Sequence, residues 1–249
     1  MGHLSSNCRA FFVTGTDTEV GKTFISLGLL NALNKKQYKT AGYKPIAAGC
    51  DVTENGLRNE DALGLQANSS LKLAYNEVNP IAFEAAIAPH LAAQQLNKEG
   101  AKSVISIDQV REGFLHLIEK KPDVLIVEGA GGWRLPIGDD FEGTPRYLSE
   151  FAIERNLSVI LVVGMRLGCL NHAVLSAEAI QHDGLKIAGW VANHIDPNMP
   201  MLEENIASLK ALIDAPFLGA VPRLASPLQI DNYLDLSTIG FSQVLQESA

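Results

Sequence analysis

The sequence predicts a doubly wound α/β fold, a mostly parallel sheet flanked by helices. Three observations carry that expectation. Apolar strand-like runs alternate with helix-like stretches from one end of the chain to the other. Several of the runs are apolar almost throughout, as parallel strands buried on both faces are. A glycine-bearing loop joins the first such run to the first helical stretch.

The elements follow in order. Ala10-Phe11-Phe12-Val13 makes a short buried strand over 11–14, and Phe24, Ile25, Leu27, Leu29, Leu30 and Leu33 fit a helix over 23–34 packed on a sheet. A second strand is expected over 40–43. The chain then makes a long excursion, 46–106, with polar clusters, Pro80, Pro89 and short helices. An interruption of that length in a compact sheet is usually a functional insert. Beyond it, strands over 124–127, 159–163, 187–192 and 217–221 alternate with helices over 107–120, 145–155, 171–182 and 201–213. No internal repeat or low-complexity tract interrupts the pattern. A single domain over 1–249 is the expectation, with 1–8 as a disordered or cloning-derived tail.

Composition narrows the function classes. Of 249 residues, 47% are hydrophobic and 19% charged, which suits a packed core rather than disorder. The net charge of −8 offers no general attraction to nucleic acid or to a membrane surface, so an anionic ligand needs a local site. No apolar run approaches the roughly 18 residues of a membrane span. Cys8, Cys50 and Cys169 are too widely spaced for a disulfide framework or a Cys-x-x-Cys metal site, so a reducing cytoplasm is expected. The six histidines show no His-x-x-x-His spacing, which argues against a zinc site built by the protein.

The loop between the first strand and helix is Gly15-Thr16-Asp17-Thr18-Glu19-Val20-Gly21-Lys22-Thr23. Strand, glycine loop ending in Gly-Lys-Thr, and helix form the arrangement that wraps a polyphosphate, with backbone N–H groups and the helix dipole turned toward negative charge. Lys22 would reach the β- and γ-phosphates and the Thr23 hydroxyl would hold Mg²⁺. Five residues separate Gly15 from Gly21, one more than in the usual loop. The fold expectation thereby sharpens to one resembling the P-loop NTPases.

In open α/β sheets ligands sit beyond the carboxyl ends of the strands. After the second strand stands Lys44, followed by Pro45; it fits a solvated surface lysine or a cation aimed at a phosphate or a developing anion. Asp61 opens a helix within the long excursion, a position acidic residues also take for structural reasons. Glu128 ends an apolar strand and is followed by Gly129, Ala130, Gly131 and Gly132. Buried unpaired it would be costly, so a metal or a metal-bound water is the expected partner. The glycines would let backbone approach a ligand closely. Arg166-Leu167-Gly168-Cys169-Leu170-Asn171 leads into a helix; its free N–H groups would suit a carboxylate or phosphate, and Asn171 would equally serve as a plain cap. Asn193, with His194 beside it, would read a nucleobase edge or simply form a turn.

Together these pieces resemble the dethiobiotin synthetases, ATP-dependent enzymes that close the ureido ring in biotin biosynthesis. The matching stretches are 13–23, 40–45, 56–62, 127–133, 162–173 and 188–193, in family order over nearly the whole chain. The resemblance implies an ATP- and Mg²⁺-dependent cyclo-ligase that joins CO₂ to 7,8-diaminopelargonic acid, and a homodimer with that substrate at the subunit interface. It implies that Glu19, Val20, Gly21, Lys22, Thr23 and Phe24 cradle the triphosphate, with Gly129, Ala130 and Gly131 alongside. Thr23, Asp61 and Glu128 would organise Mg²⁺, while Lys22 and Lys44 would stabilise the reacting oxygens. Asn193 and His194 would contact adenine, helped by Pro222, Arg223 and Leu224. Thr18 and Lys44 would contact the diamine, whose carboxylate would reach Gly168, Cys169, Leu170 and Asn171 of the partner subunit. Ala48 and Ala88 stand where the family commonly has serine, and Arg166 where it commonly has lysine.

Two other classes fit less well. Partitioning or positioning ATPases share the long phosphate loop but carry an extra lysine near its start, which 15–18 lack, and the segment 231–249 has no basic residue to suit an anionic membrane. A binding module without turnover would not need Lys22, Thr23, Lys44, Asp61 and Glu128 together.

Overall fold

The computed structural model describes residues 8–100, 105–139 and 143–241. Six strands, β1 (Arg9–Gly15), β2 (Thr40–Tyr43), β3 (Val124–Gly132), β4 (Ser158–Met165), β5 (Ile187–His194) and β6 (Phe217–Val221), form one sheet in the order β6-β5-β4-β1-β3-β2. Every pairing in it is parallel. Eight helices accompany them among the described residues: α1 (Lys22–Lys35), α2 (Glu60–Asn68), α3 (Tyr75–Val78), α4 (Pro89–Lys98), α5 (Ile107–Glu119), α6 (Ser149–Glu154), α7 (Cys169–His182) and α8 (Leu202–Leu212). The sheet is buried on both faces, and Val13, Val127, Leu161, Val162 and Trp190 lie fully inside it. This explains the near-continuous apolar runs in the sequence.

The strand order reverses at β1. The chain leaves β1 through α1 for the edge strand β2, whereas β4, β5 and β6 extend the sheet on the other side. Right-handed crossovers then set α1 on one face and α5 to α8 on the other. In keeping with this, α1 packs on α2 and on the 3-10 turn Pro227–Asn232, while α5 meets α6 and α7 meets α8. The carboxyl ends of β1 and β4 bound the crevice this reversal opens, the place where such sheets bind ligands.

The excursion after β2 packs against α1, β2 and β3. It contains a parallel pair of short strands, Ile46–Ala48 with Ile81–Phe83, an antiparallel hairpin, Asp51–Thr53 with Gly56–Arg58, and helices α2 to α4. Asn59 caps α2 by accepting from the Ala62 N–H at 3.2 Å, which sets Asp61 in the first turn. At the far end of the excursion, Glu77 ties α3 to α5. Its carboxylate accepts from the Ala74 N–H at 2.7 Å and lies 2.6 Å from His116 Nε2 and 2.9 Å from Lys120 Nζ. Burial pushes this carboxyl up, but the hydrogen bonds from Lys120, Ala74 and His116 outweigh it and hold it at about 2, against an ordinary 4.5. The stability Glu77 supplies is therefore present above pH ~4.5 and is lost as pH falls toward ~2. Glu77→Gln is expected to lower stability at neutral pH and to flatten its decline across that acid range. Urea melts at a series of pH values check both effects.

One expected element is different. The stretch 145–155, expected as a single helix, is an edge strand, Pro145–Tyr147, followed by the shorter α6. Pro145–Tyr147 pairs antiparallel with Pro136–Asp139, and Pro145 has no N–H to give a helix or an inner strand. The Glu150 carboxylate takes the Tyr147 N–H at 2.7 Å and the Arg146 guanidinium, so it ties the strand to the first turn of α6. The capping role considered for Asn171 is likewise overturned: α7 begins two residues earlier, at Cys169, capped by Gly168 at φ 94°. That left-handed angle is one glycine adopts without strain. The tail expected over 1–8 falls, apart from Cys8, outside the described residues. Among the described residues no helix is long and apolar enough to cross a membrane, and the three cysteines are free thiols.

Candidate active site

Strand register assembles the site. Val13 of β1 lies opposite Glu128 of β3, and Tyr43 of β2 opposite Val127. One step further along β2 is Lys44, so the ammonium and the carboxylate emerge side by side. Beyond Val13 the β1–β3 register slips, which brings Gly132 opposite Gly15 where the phosphate loop starts. Thr23, in the first turn of α1, completes the cluster: its Oγ1 donates to Glu128 Oε1 at 2.8 Å. Lys44 Nζ reaches the same oxygen at 2.5 Å and Asp61 Oδ2 at 2.8 Å. Two carboxylates thus flank one ammonium: Lys44 just past β2, Asp61 in the first turn of α2, and Glu128 midway along β3, at the last residue before its pairing with β1 slips.

Burial sharpens the electrostatics. Glu128 is fully buried and Lys44 only 5% exposed. Burial alone would lower the Lys44 titration, yet Glu128 and Asp61 more than reverse it and hold the amine above its ordinary value. Lys44 is a standing cation, suited to stabilising an anion rather than to taking a proton. Burial pushes the Asp61 carboxyl up, and the Lys44 charge and hydrogen bond outweigh that, with Thr23 and Lys22 assisting, so it ionises below its usual range. Lys22 behaves oppositely. Burial and the neighbouring Lys44 lower it to about 8 against the pull of Glu128, Asp61 and Asp17.

The phosphate loop is drawn in on itself. Lys22 Nζ donates to the Asp17 carbonyl at 2.8 Å, a peptide oxygen standing where an anion would. Gly21 has φ 90°, and a side chain there would strike the Asn193 amide. Asn193 Nδ2 in turn donates to the Val20 carbonyl at 2.8 Å. The end of β5 therefore pins the loop, a structural duty for Asn193 that local sequence does not suggest. Glu19, at φ 58°, is exposed at the loop tip. Across from the loop, Gly131 at φ 58° faces the Thr18 hydroxyl, and Gly129 lies against the Phe12 ring.

Next to Asn193, a groove of about 240 Å³ is lined by Phe24, Asn193, His194, Ile195, Pro222, Arg223 and Leu224. All but Ile195 are residues that the family resemblance assigns to the nucleotide, from the ends of β5 and β6 and the start of α1. Gly168, Cys169, Leu170 and Asn171 lie apart from this cluster at the start of α7; Cys169 is buried, Asn171 exposed, and Leu167 beside them is 92% exposed. The polar link from that turn to the loop is the ion pair of Arg166 with Asp17.

The donor set suits a hard cation. Glu128 Oε2 is buried and has no hydrogen-bond partner among the described residues. An unmet buried acceptor costs about 1–3 kcal/mol, so this oxygen is poised for a cation. Thr23 Oγ1 and Asp61 add oxygen donors. Among the described residues no group of three or more His, Cys, Asp or Glu is arranged to hold a metal by itself. A hard ion that keeps waters and takes phosphate oxygens, as Mg²⁺ does, fits such an incomplete shell.

Residues 9–227 match the model of the AAA domain family. The chain is 52% identical over 233 residues to the ATP-dependent dethiobiotin synthetase BioD of Cellvibrio japonicus (strain Ueda107), covering 93% of this chain and 97% of that one. It is 51% identical to the enzyme of the same name from Pseudomonas paraeruginosa (strain DSM 24068 / PA7), covering 93% and 98%. The chain belongs to the dethiobiotin synthetase family. Its fold is also that of the MinC:MinD cell division protein complex of Aquifex aeolicus, with a TM-score of 0.54 at 15% identity over 90% of this chain and 88% of that one. This likeness speaks for the fold alone.

Within this dethiobiotin synthetase family member, several supporting residues carry no mark in the local sequence. The Lys44 backbone is clamped by its N–H to the Val78 carbonyl at 2.8 Å and by Asn79 Nδ2 to its own carbonyl at 2.7 Å. Tyr75 links Asn79 to the Asn59 N–H, and so ties Lys44 to the helix that carries Asp61. Asn59 lies inside a family-like stretch, which is a usable signal. Nothing local marks Tyr75 or Asn79.

Proposed function

We propose that this chain is an ATP-dependent dethiobiotin synthetase that forms the cyclic urea of dethiobiotin from 7,8-diaminopelargonic acid and CO₂. The observation that carries the reading is the Thr23–Glu128–Lys44–Asp61 cluster, centred on the buried Glu128 and Lys44, beside a self-ligated phosphate loop, in a chain half identical to enzymes of that name. One amine of the substrate takes up CO₂ as a carbamate. The carbamate oxygen attacks the γ-phosphorus of ATP, releasing ADP and giving a carbamic-phosphoric anhydride. The second amine attacks the carbonyl carbon, phosphate leaves, and the ring closes.

This chemistry needs positioning and charge neutralisation more than a nucleophilic side chain. Lys22 leaves the Asp17 carbonyl for the β- and γ-phosphate oxygens. Lys44, held charged by its two carboxylates, faces the carbamate and the transferred phosphoryl oxygens. Thr23, Asp61 and Glu128 hold Mg²⁺, which when bound neutralises charge on the phosphate oxygens. Glu19, Val20, Gly21 and Phe24 shape the triphosphate cradle, and Gly129, Ala130 and Gly131 let backbone close on it. Asn193, His194, Pro222, Arg223 and Leu224 receive the adenine in the groove beside α1. Thr18 contacts the diamine. A second copy of the chain offers Gly168, Cys169, Leu170 and Asn171 to the substrate carboxylate, and the exposed Leu167 belongs to that homodimer interface. We place the enzyme in the cytoplasm, acting as one domain without nucleic acid or membrane partners.

Purified protein supplied with the diamine, bicarbonate, Mg²⁺ and ATP is expected to release phosphate and the cyclic urea in equal amounts. Phosphate release indifferent to the diamine would overturn the assignment. Asn193→Ala, which unpins Val20, is expected to raise the KM for ATP about tenfold, as loss of a buried hydrogen bond does. Steady-state kinetics at saturating diamine checks it.

A further inference from the structure

Asp17 is engaged at all three of its oxygens. Its carbonyl takes the Lys22 ammonium at 2.8 Å, Oδ1 takes the Thr18 N–H at 2.8 Å, and Oδ2 is paired with the Arg166 guanidinium. Arg166 itself stands at two places at once. Its carbonyl accepts the Cys169 N–H at 3.0 Å in the turn that starts α7, while its side chain reaches the phosphate loop. The loop's other hydrogen bonds with β4 both hold Thr16 to strand backbone, its N–H to the Val162 carbonyl at 3.0 Å and its side-chain Oγ1 accepting the Gly164 N–H at 3.4 Å. The ion pair is the adjustable link. Both partners are close to half exposed, so it adds little to the stability of the fold, and its effect falls on position.

We propose that Arg166 is a positioning residue that couples occupation of the α7 terminus to release of Lys22 toward the nucleotide. This rests on the reading above that the terminus receives the substrate carboxylate. A carboxylate bound at the N–H groups of α7 draws on the turn that Arg166 closes, shifts its guanidinium and with it Asp17, and frees the Lys22 ammonium from the Asp17 carbonyl. Lys22 then meets the β- and γ-phosphates without first breaking its internal bond. Diamine binding thereby raises nucleotide affinity, and the reverse holds by thermodynamic necessity. Because the terminus serves the neighbouring protomer's site, the coupling passes between the two sites of a dimer. Arginine rather than lysine suits the task, since its planar fork fixes the direction of the carboxylate it holds.

The test is calorimetric titration of a non-hydrolysable ATP analogue with Mg²⁺, with and without saturating 7,8-diaminopelargonate, in the parent protein and in R166A, R166K and D17N. The diamine is expected to tighten analogue binding at least about fivefold in the parent. In R166A and D17N that factor should fall below about twofold, with R166K intermediate. The double variant R166A/D17N should be no worse than either single one, as members of one linkage are. Parent-like coupling in R166A overturns the proposal while leaving the function standing. A drop of more than about tenfold in analogue affinity without diamine, coupling retained, makes Arg166 a direct phosphate contact and also overturns it. Failure of the parent to bind the diamine at all removes the functional reading and the coupling with it.

Discussion

Replacing Lys44 with alanine is expected to slow cyclic urea formation at least about a hundredfold, the loss typical of removing an electrostatic stabiliser aimed at developing charge. The same substitution should destabilise the unliganded fold by about 3 kcal/mol, because removing one member of a buried pair leaves the other charged in a poor solvent. Glu128 is fully buried, shares its Oε1 between Lys44 and Thr23, and would lose the one cation bonded to that oxygen among the described residues. The two effects separate in the double variant Lys44→Met, Glu128→Gln. Pairing a neutral side chain with a neutral amide should restore much of the melting temperature while activity stays lost. Thermal and urea melts measure one side, and the coupled phosphate assay the other. Full activity in Lys44→Ala would remove its catalytic role, and full stability would show that Glu128 finds another partner.

Lys22→Ala is expected to cost at least about a hundredfold in rate as well, but with little loss of stability. Lys22 is bonded to a backbone carbonyl in the unliganded chain, not to a buried carboxylate, and it titrates at about 8 because burial and Lys44 disfavour its charge. Its positive charge is a burden on the fold until phosphate arrives. Nucleotide binding should therefore weaken sharply in Lys22→Ala, visible in calorimetry, whereas the thermal melt of the free protein should hold or rise. A strongly destabilised Lys22→Ala with unchanged nucleotide affinity would reverse the roles assigned to the two lysines.

Much of this site is legible in the sequence alone. Lys44, Glu128 and Asn193 each stand at or just past the end of an apolar run, and in a parallel sheet all such positions converge on one edge. The phosphate loop announces itself by its place between strand and helix. Asp61 is legible only through resemblance, because it arrives on an excursion whose short strands and turns obey no single period. Hidden from the sequence are contacts between segments far apart in the chain: Arg166 with Asp17, Asn79 with the Lys44 carbonyl, Asn193 with Val20. No local pattern encodes such pairs. The stretch 145–155 differs from its expected helix for a related reason. Its apolar spacing suits a helix, and the strand within it exists only because Pro136–Asp139 lies alongside. The fold alone does not separate a synthetase from a cell division protein, since the MinC:MinD complex shares it at 15% identity. The absent lysine at 15–18 and the half-identical relatives make that separation.

The decisive measurement is a crystal structure of the chain with Mg²⁺, a non-hydrolysable ATP analogue and 7,8-diaminopelargonate. The Lys22 amine is expected to have left the Asp17 carbonyl for the β- and γ-phosphates, with Lys44 facing the terminal phosphoryl group and the metal against Thr23 and Glu128. A nucleotide bound away from 15–23, or Lys22 still bonded to Asp17 with the triphosphate in place, would contradict these roles.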